Sequence, residues 1–314
     1  MGYELYERQN LLGEGTFGRV YRARQLATDR VVAIKKLLNS RNAKEGTTLS
    51  TLREIMLLQE LKHEHVIDMV EAFAHNGNIH LVFEFCATDL EAVIKDTARY
   101  ELDAAKVKGY LQGTLRGVAH LHSAWVMHRD LKPGNLFLTP EGVVKVGDFG
   151  LARFYGSPER RYTGQVVTRW YRAPEILFGA KFYGTSIDVW SVGAVFAELL
   201  LRVPYFPGNS DIEQLSCIFT ARGTPTEETW PGVSSLPDYI AFQPQKGQPL
   251  RELFTAASDD ALALLHACLT LCPGERITAK AALQHAYFAA DPPPAPLADL
   301  APSKAAAEGK PTRK

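Results

Sequence analysis

The chain is poor in cysteine, has no excess of charge of either sign and contains no long apolar run. Its four cysteines, Cys86, Cys217, Cys268 and Cys272, show neither CxxC pairing nor zinc-ligand spacing. That excludes a disulfide framework and fits reduced thiols packed as small apolar groups. Lys and Arg total 35 and Asp and Glu total 35, so no global field points to nucleic acid, an anionic membrane or an acidic substrate. The most apolar stretch, around Val192 to Leu201, is interrupted by Glu198 and is much shorter than the roughly 20 residues a membrane helix needs. No signal-peptide pattern opens the chain, and Tyr6 stands where a myristoylation signal wants Ser or Thr. The expectation is a nuclear or cytoplasmic protein, or one found in both places, with no membrane and no direct nucleic-acid contact. There is no internal repeat.

What is present suffices for one large domain or two packed lobes: 314 residues, 46% of them hydrophobic. Up to about Phe85 the pattern reads as strands: Leu11 and Leu12, Val20 to Ala23, Val31 to Lys35 and Ile79 to Phe85. A single helix, Leu49 to Leu61, interrupts them. From Leu102 onward helical periodicity takes over, over Val107 to His122, Ile187 to Leu201, Asp211 to Thr220 and Asp260 to Leu269. Ile187 to Leu201 is apolar nearly all round and reads as a central buried helix. Residues 289–314, rich in Ala, Pro and Lys, read as a disordered tail.

Gly13, Gly15 and Gly18 form G-x-G-x-x-G, with Glu14, Thr16 and Phe17 between them. The same letters open dinucleotide-binding folds, but there the loop runs into a helix, whereas Arg19 to Ala23 reads as a second strand. A glycine hairpin lying over phosphates fits better. Lys35 ends Val-Ala-Ile-Lys on a strand, and Glu54 on the only helix of this half is a partner able to hold it against the α and β phosphates. His128-Arg129-Asp130-Leu131-Lys132-Pro133-Gly134-Asn135 follows. In it Asp130 orients and deprotonates an attacking hydroxyl, Lys132 neutralises charge on the transferred group and Asn135 binds Mg²⁺. Asp148-Phe149-Gly150 adds the second magnesium ligand, Asp148, and Ala173-Pro174-Glu175 closes the loop beyond it.

From about Tyr6 to Phe288 the sequence resembles the eukaryotic protein kinases, and within them the proline-directed cyclin-dependent group. That resemblance rests on the motifs above with Leu49 to Glu54, Val166 to Glu175 and Gly223 to Pro231. Ala87 to Glu91, Gly156 to Pro158 with Tyr162-Thr163, and Leu200 to Gly208 are similar to the kinase-activating subclass that also serves the transcription factor TFIIH. The resemblance implies an α+β bilobal kinase domain over 6–288, with a β-rich N-lobe at 6–85 carrying one helix and a hinge with a mainly helical C-lobe at 86–288. It implies ATP and Mg²⁺ as cofactors. Adenine would lie between Leu12, Val20 and Ala33 above and Phe137 below, with Phe83 guarding the back, Glu84 and Cys86 bonding the base through their backbones, and Asp89 at the rim. Phe137 stands where leucine is usual and Gly147 where alanine is common, changes of pocket shape rather than of chemistry. Phe17 replaces a tyrosine used for inhibition in cell-cycle members.

The same resemblance implies a cyclin contacting the Leu49–Leu61 helix, a RING-finger assembly factor, TFIIH, and protein substrates with Ser/Thr-Pro sites. Thr163 and Ser157 would be the activation-loop phosphorylation sites, with Arg53, Arg129 and Arg153 receiving the Thr163 phosphate, while Val167 and Arg172 would select proline. A pseudokinase scaffold is disfavoured because Lys35, Asp130, Asn135 and Asp148 are all present. A mitogen-activated kinase is disfavoured because Gln165, not tyrosine, stands two residues after Thr163. Whether the substrates are other kinases' activation loops, the RNA polymerase II tail or both stays open at this level.

Overall fold

A computed structural model describes residues 2–15, 18–37, 49–156 and 168–295, without the side chains of 49–51 and 53. Thr16, Phe17, Ser157, Thr163, Val167 and the Arg53 side chain therefore lie outside the described residues. Five antiparallel strands form the first half: β1 (Tyr6–Gly15), β2 (Gly18–Gln25), β3 (Val31–Leu37), β4 (Met69–His75) and β5 (Asn78–Glu84), in the order β1-β2-β3-β5-β4. One helix, α1 (Leu49–Glu60), lies between β3 and β4. β4 was not anticipated, because Met69-Val70-Glu71-Ala72 lacks clean alternation; pairing with β5 supplies its ladder.

The register decides what the sheet presents. Ala23, Val32, Ile34 and Val82 fill a small core with Tyr6. The opposite face is fixed by period two: Val20 pairs with Lys35, Lys35 with Leu81 and Ala33 with Phe83. These five residues therefore share the side away from that core. At the tight end of the β1–β2 hairpin, Gly18 has φ +151°, and a Cβ there would meet the Lys36 carbonyl oxygen at 2.1 Å. Only glycine fits that approach.

The second half is helical, as expected: α2 (Leu90–Lys95), α3 (Ala104–Ser123), α4 (Pro174–Leu177), α5 (Ser186–Leu201), α6 (Asp211–Arg222), α7 (Leu250–Leu253), α8 (Asp259–Cys268), α9 (Ala279–Ala282) and α10 (Ala286–Ala289). Short strands at its top form a sheet ordered β6 (Thr88–Asp89), β8 (Leu136–Leu138), β9 (Val144–Val146), while β7 (Val126–Met127) pairs with β10 (Arg153–Phe154). α3 begins at Asp103, whose carboxylate caps Lys106 N at 2.8 Å. Every residue of α5 from Ile187 to Leu199 is buried, so the central-helix expectation holds. No described helix is long and apolar enough to cross a membrane.

The disordered-tail expectation for 289–314 is corrected at its start. Ala289 ends α10, Ala295 N donates to Ala105 O, and Lys108 Nζ donates to the carbonyls of Ala290 and Pro292 at 2.6 and 2.7 Å. Lys108 is 2% exposed. A buried ammonium needs acceptors, and the chain after Tyr287 lies where it supplies them.

Candidate active site

Lys35 reaches from β3 to touch both halves of the molecule. Its Nζ lies 3.1 Å from Glu54 Oε1 on α1 and 3.4 Å from Asp148 Oδ1 in the second lobe. Burial alone would pull the Lys35 amine down; Glu54 and Asp148 outweigh it and leave it raised and charged. Burial also pushes the Asp148 carboxyl up, but Lys35 and His128 hold it below the usual carboxylate value. Glu54 is pushed up by burial against the pull of Lys35.

Asp130 sits in a cage of donors. Thr168 N and Oγ1 lie 3.1 and 3.3 Å from its Oδ1, Lys132 Nζ lies 3.2 Å from its Oδ2, and Asn135 Nδ2 donates to both its backbone oxygen and Oδ2 at 2.7 and 3.0 Å. Lys132 Nζ also donates to Thr168 Oγ1 at 3.1 Å. The carboxylate is thereby held in one orientation. Because both amide hydrogens of Asn135 are turned to Asp130, its Oδ1 is the end left for a ligand.

A residue that motif reading missed holds this loop. Asp188, wholly buried on α5, accepts from His128 N at 2.9 Å and Arg129 N at 2.8 Å, and pairs with His122 Nε2 at 2.9 Å. Burial raises its pKa, and these partners reverse the effect and lower it. The available signal was an acid inside an otherwise apolar helix, which is rare without a partner. His128 is fixed as well: Nε2 donates to Gly147 O at 2.9 Å and Nδ1 accepts from Asp130 N at 3.2 Å. The chain passes Arg129 at φ +69° and Asp148 at φ +61°, left-handed conformations held at the two ends of the site.

The other expected residues fall as follows. Val20, Ala33 and Phe83 are half-buried on the sheet face shared with Lys35, whereas Leu12, Gly13 and Glu14 are exposed at the hairpin. Glu84 is anchored by side chain and backbone, accepting from Asp68 N at 2.7 Å and Lys145 at 2.9 Å. Burial pushes the Cys86 thiol up to about 12, so it is inert packing. Asp89 caps α2 through Ala92 N at 2.9 Å. Phe137 is half-buried between the buried Leu136 and Leu138.

Arg129 Nε donates to Leu151 O, and its NH1 to the Tyr183 hydroxyl, both at 2.8 Å. Arg153 lies on β10 and donates to Ala152 O. Arg172 NH1 and Arg169 Nε both meet Asp211 Oδ1, at 3.2 and 2.9 Å.

Residues 6–288 match the family model for the protein kinase domain. The chain is 55% identical over 293 residues to cyclin-dependent kinase 7 of Xenopus laevis, covering 93% of this chain and 83% of that one. It is 47% identical over 292 residues to the serine/threonine-protein kinase KIN28 of Saccharomyces cerevisiae, covering 92% and 95%. Among solved structures, the CAK complex from Chaetomium thermophilum bound to ATP-γ-S contains a chain that matches with a TM-score of 0.90, 40% identity and 94% coverage of both chains.

Proposed function

The chain belongs to the protein kinase family, among its cyclin-dependent serine/threonine kinases, and from that premise we propose that it moves the γ-phosphoryl group of Mg²⁺-bound ATP onto Ser/Thr-Pro sites. The observation that carries this reading is Lys35 in contact with both Glu54 and Asp148, which joins the sheet, helix α1 and the second lobe at one point. A phosphate-holding lysine in that position is what phosphoryl transfer requires.

Asp130 receives the proton of a substrate hydroxyl at its carboxylate. Lys132, 3.2 Å away, offsets the negative charge gathered there, and Thr168 bridges the two. Asn135 Oδ1 and the Asp148 carboxylate are hard oxygen donors, few in number, which suits Mg²⁺ shared with phosphate oxygens and water. Mg²⁺, when bound, supplies neutralisation of phosphate charge.

Cyclin binding at α1 is supported by its surface: Leu57, Leu58 and Leu61 are buried, while Leu52 and Met56 are 46% and 61% exposed. A RING-finger factor and TFIIH as further partners, and nuclear residence, are carried into this reading by the sequence resemblance of Ala87 to Glu91 and Leu200 to Gly208. Thr163, with Ser157 second, is the activating phosphoacceptor in this reading, served by Arg53, Arg129 and Arg153.

By the sequence resemblance, proline selection would rest on Arg172 taking up a carbonyl near Val167, a residue outside the described ones, that otherwise accepts the substrate's next N–H. A stranded N–H costs about 1–3 kcal/mol, which proline avoids. The test is a matched Ser-Pro and Ser-Ala peptide pair assayed with the cyclin-bound enzyme. A roughly five- to 150-fold preference for Ser-Pro is expected, and equal rates would reject the selectivity. No transfer to either peptide would reject the kinase reading.

A further inference from the structure

Two positions of the site, ten residues apart in sequence, compete for one space. Gly147 immediately precedes Asp148, and a Cβ built on it would lie 2.7 Å from Phe137 Cε2, 2.8 Å from Phe137 Cδ2 and 3.3 Å from Ile67 Cγ2. Contacts that short do not occur between real carbon atoms. Gly147 is not among the glycines with positive φ, so its backbone conformation is open to any residue and only the space demands glycine. The Phe137 ring fills what an alanine methyl would take.

Neither backbone can yield. Gly147 N donates to Asn135 O at 3.0 Å and Gly147 O accepts from His128 Nε2 at 2.9 Å, so shifting it disturbs a metal-binding residue and the catalytic loop together. Phe137 lies in the middle of β8, paired with Lys145 and Asp89 and flanked by Leu136 and Leu138, both fully buried. Alternation along β8 turns Phe137 away from the core that holds its neighbours. An added methyl at 147 is therefore relieved chiefly by displacing the Phe137 ring, with Ile67 Cγ2 giving way by a few tenths of an ångström.

We infer that Phe137 and Gly147 form one size-compensated unit that sets the floor of the nucleotide pocket and is a specificity determinant for the flat base above it. This rests on the ATP-binding reading of the cleft, which the experiment separates from the pairing itself. The wild-type chain, Gly147→Ala, Phe137→Leu and the double variant are compared by calorimetric Kd for Mg²⁺-ATP and by thermal unfolding without nucleotide. Residues in contact are non-additive, with coupling equivalent to roughly two- to 150-fold.

Gly147→Ala alone is expected to weaken ATP binding at least about tenfold, and adding Phe137→Leu to recover most of that loss. Single effects that simply multiply in the double variant overturn the proposal, as does an unchanged Kd in Gly147→Ala. If Gly147→Ala fails to fold, a folded, ATP-binding double variant supports the unit and an unfolded one overturns it. If the wild type itself binds no ATP, the kinase reading fails, and the same cycle in nucleotide-free unfolding midpoints still judges the pair.

Discussion

Glu175 and Arg276, 101 residues apart, are joined by a two-pronged ion pair: NH1 lies 2.7 Å from Oε1 and NH2 3.0 Å from Oε2. Their side chains are 4% and 0% exposed. The guanidinium also donates to the carbonyls of Ser186, Thr270 and Leu271 and lies 5.1 Å over the Trp190 ring. It thus ties α4 to the first turn of α5, the helix that carries Asp188.

Arg276→Ala should cost about 3–5 kcal/mol, because it leaves the Glu175 carboxylate buried and unpaired. Urea unfolding of the two proteins measures it. A loss below about 1 kcal/mol, the range of an exposed pair, would show that water reaches Glu175 and that the pair is not sealed.

Glu54 and Asp148 should respond to acid in opposite ways. Asp148 is depressed, so the stability it contributes is present above its unfolded pKa, about 4, and lost only as pH falls below that. Glu54 is raised, so the folded state binds the extra proton: falling pH first protonates Glu54, which favours the fold while breaking the charge pair with Lys35. Nucleotide binding should therefore weaken from weakly acidic pH downward while the Glu54 contribution to stability rises. In Glu54→Gln both trends should vanish, as titration calorimetry and unfolding across pH would record.

Asp130→Asn keeps the size of the side chain inside the donor cage but removes the carboxylate proposed to take the hydroxyl proton. The expected loss in kcat is about 10²- to 10⁴-fold, with the Kd for ATP within a few fold of wild type. Comparable losses in both quantities would mean Asp130 acts through folding of the loop rather than on the hydroxyl.

Leu52→Asp with Met56→Asp should abolish cyclin capture while leaving the monomer's stability within about 0.5 kcal/mol, since both side chains are exposed in the free chain. Quantitative pull-down with a purified cyclin and urea unfolding give the two numbers. Undiminished capture would place the partner elsewhere.

Short-range constraints were legible in the residues themselves. The glycine hairpin, the His128 to Asn135 run and the Asp148-Phe149-Gly150 turn each need particular residue types within a few positions, and the central helix announces itself by an apolar surface all round. Helix α2 was missed because its six residues, Leu90–Lys95, fall short of two turns and show no readable period. Strand β4 needed its partner β5, and the order of residues 289–295 needed Lys108.

The sequence alone determined the reaction class, because phosphoryl transfer demands a small set of side chains in a fixed order. Tertiary structure alone decided how those side chains are held. Asp188 clamps the His128 to Asn135 loop from a helix about 60 residues away, Arg276 locks Glu175 across 101 residues, and Phe137 stands where a methyl on Gly147 would be. Each is a contact between distant segments, and burial makes each obligatory: an unpaired buried charge or two atoms in one volume costs more than the local chain can offset.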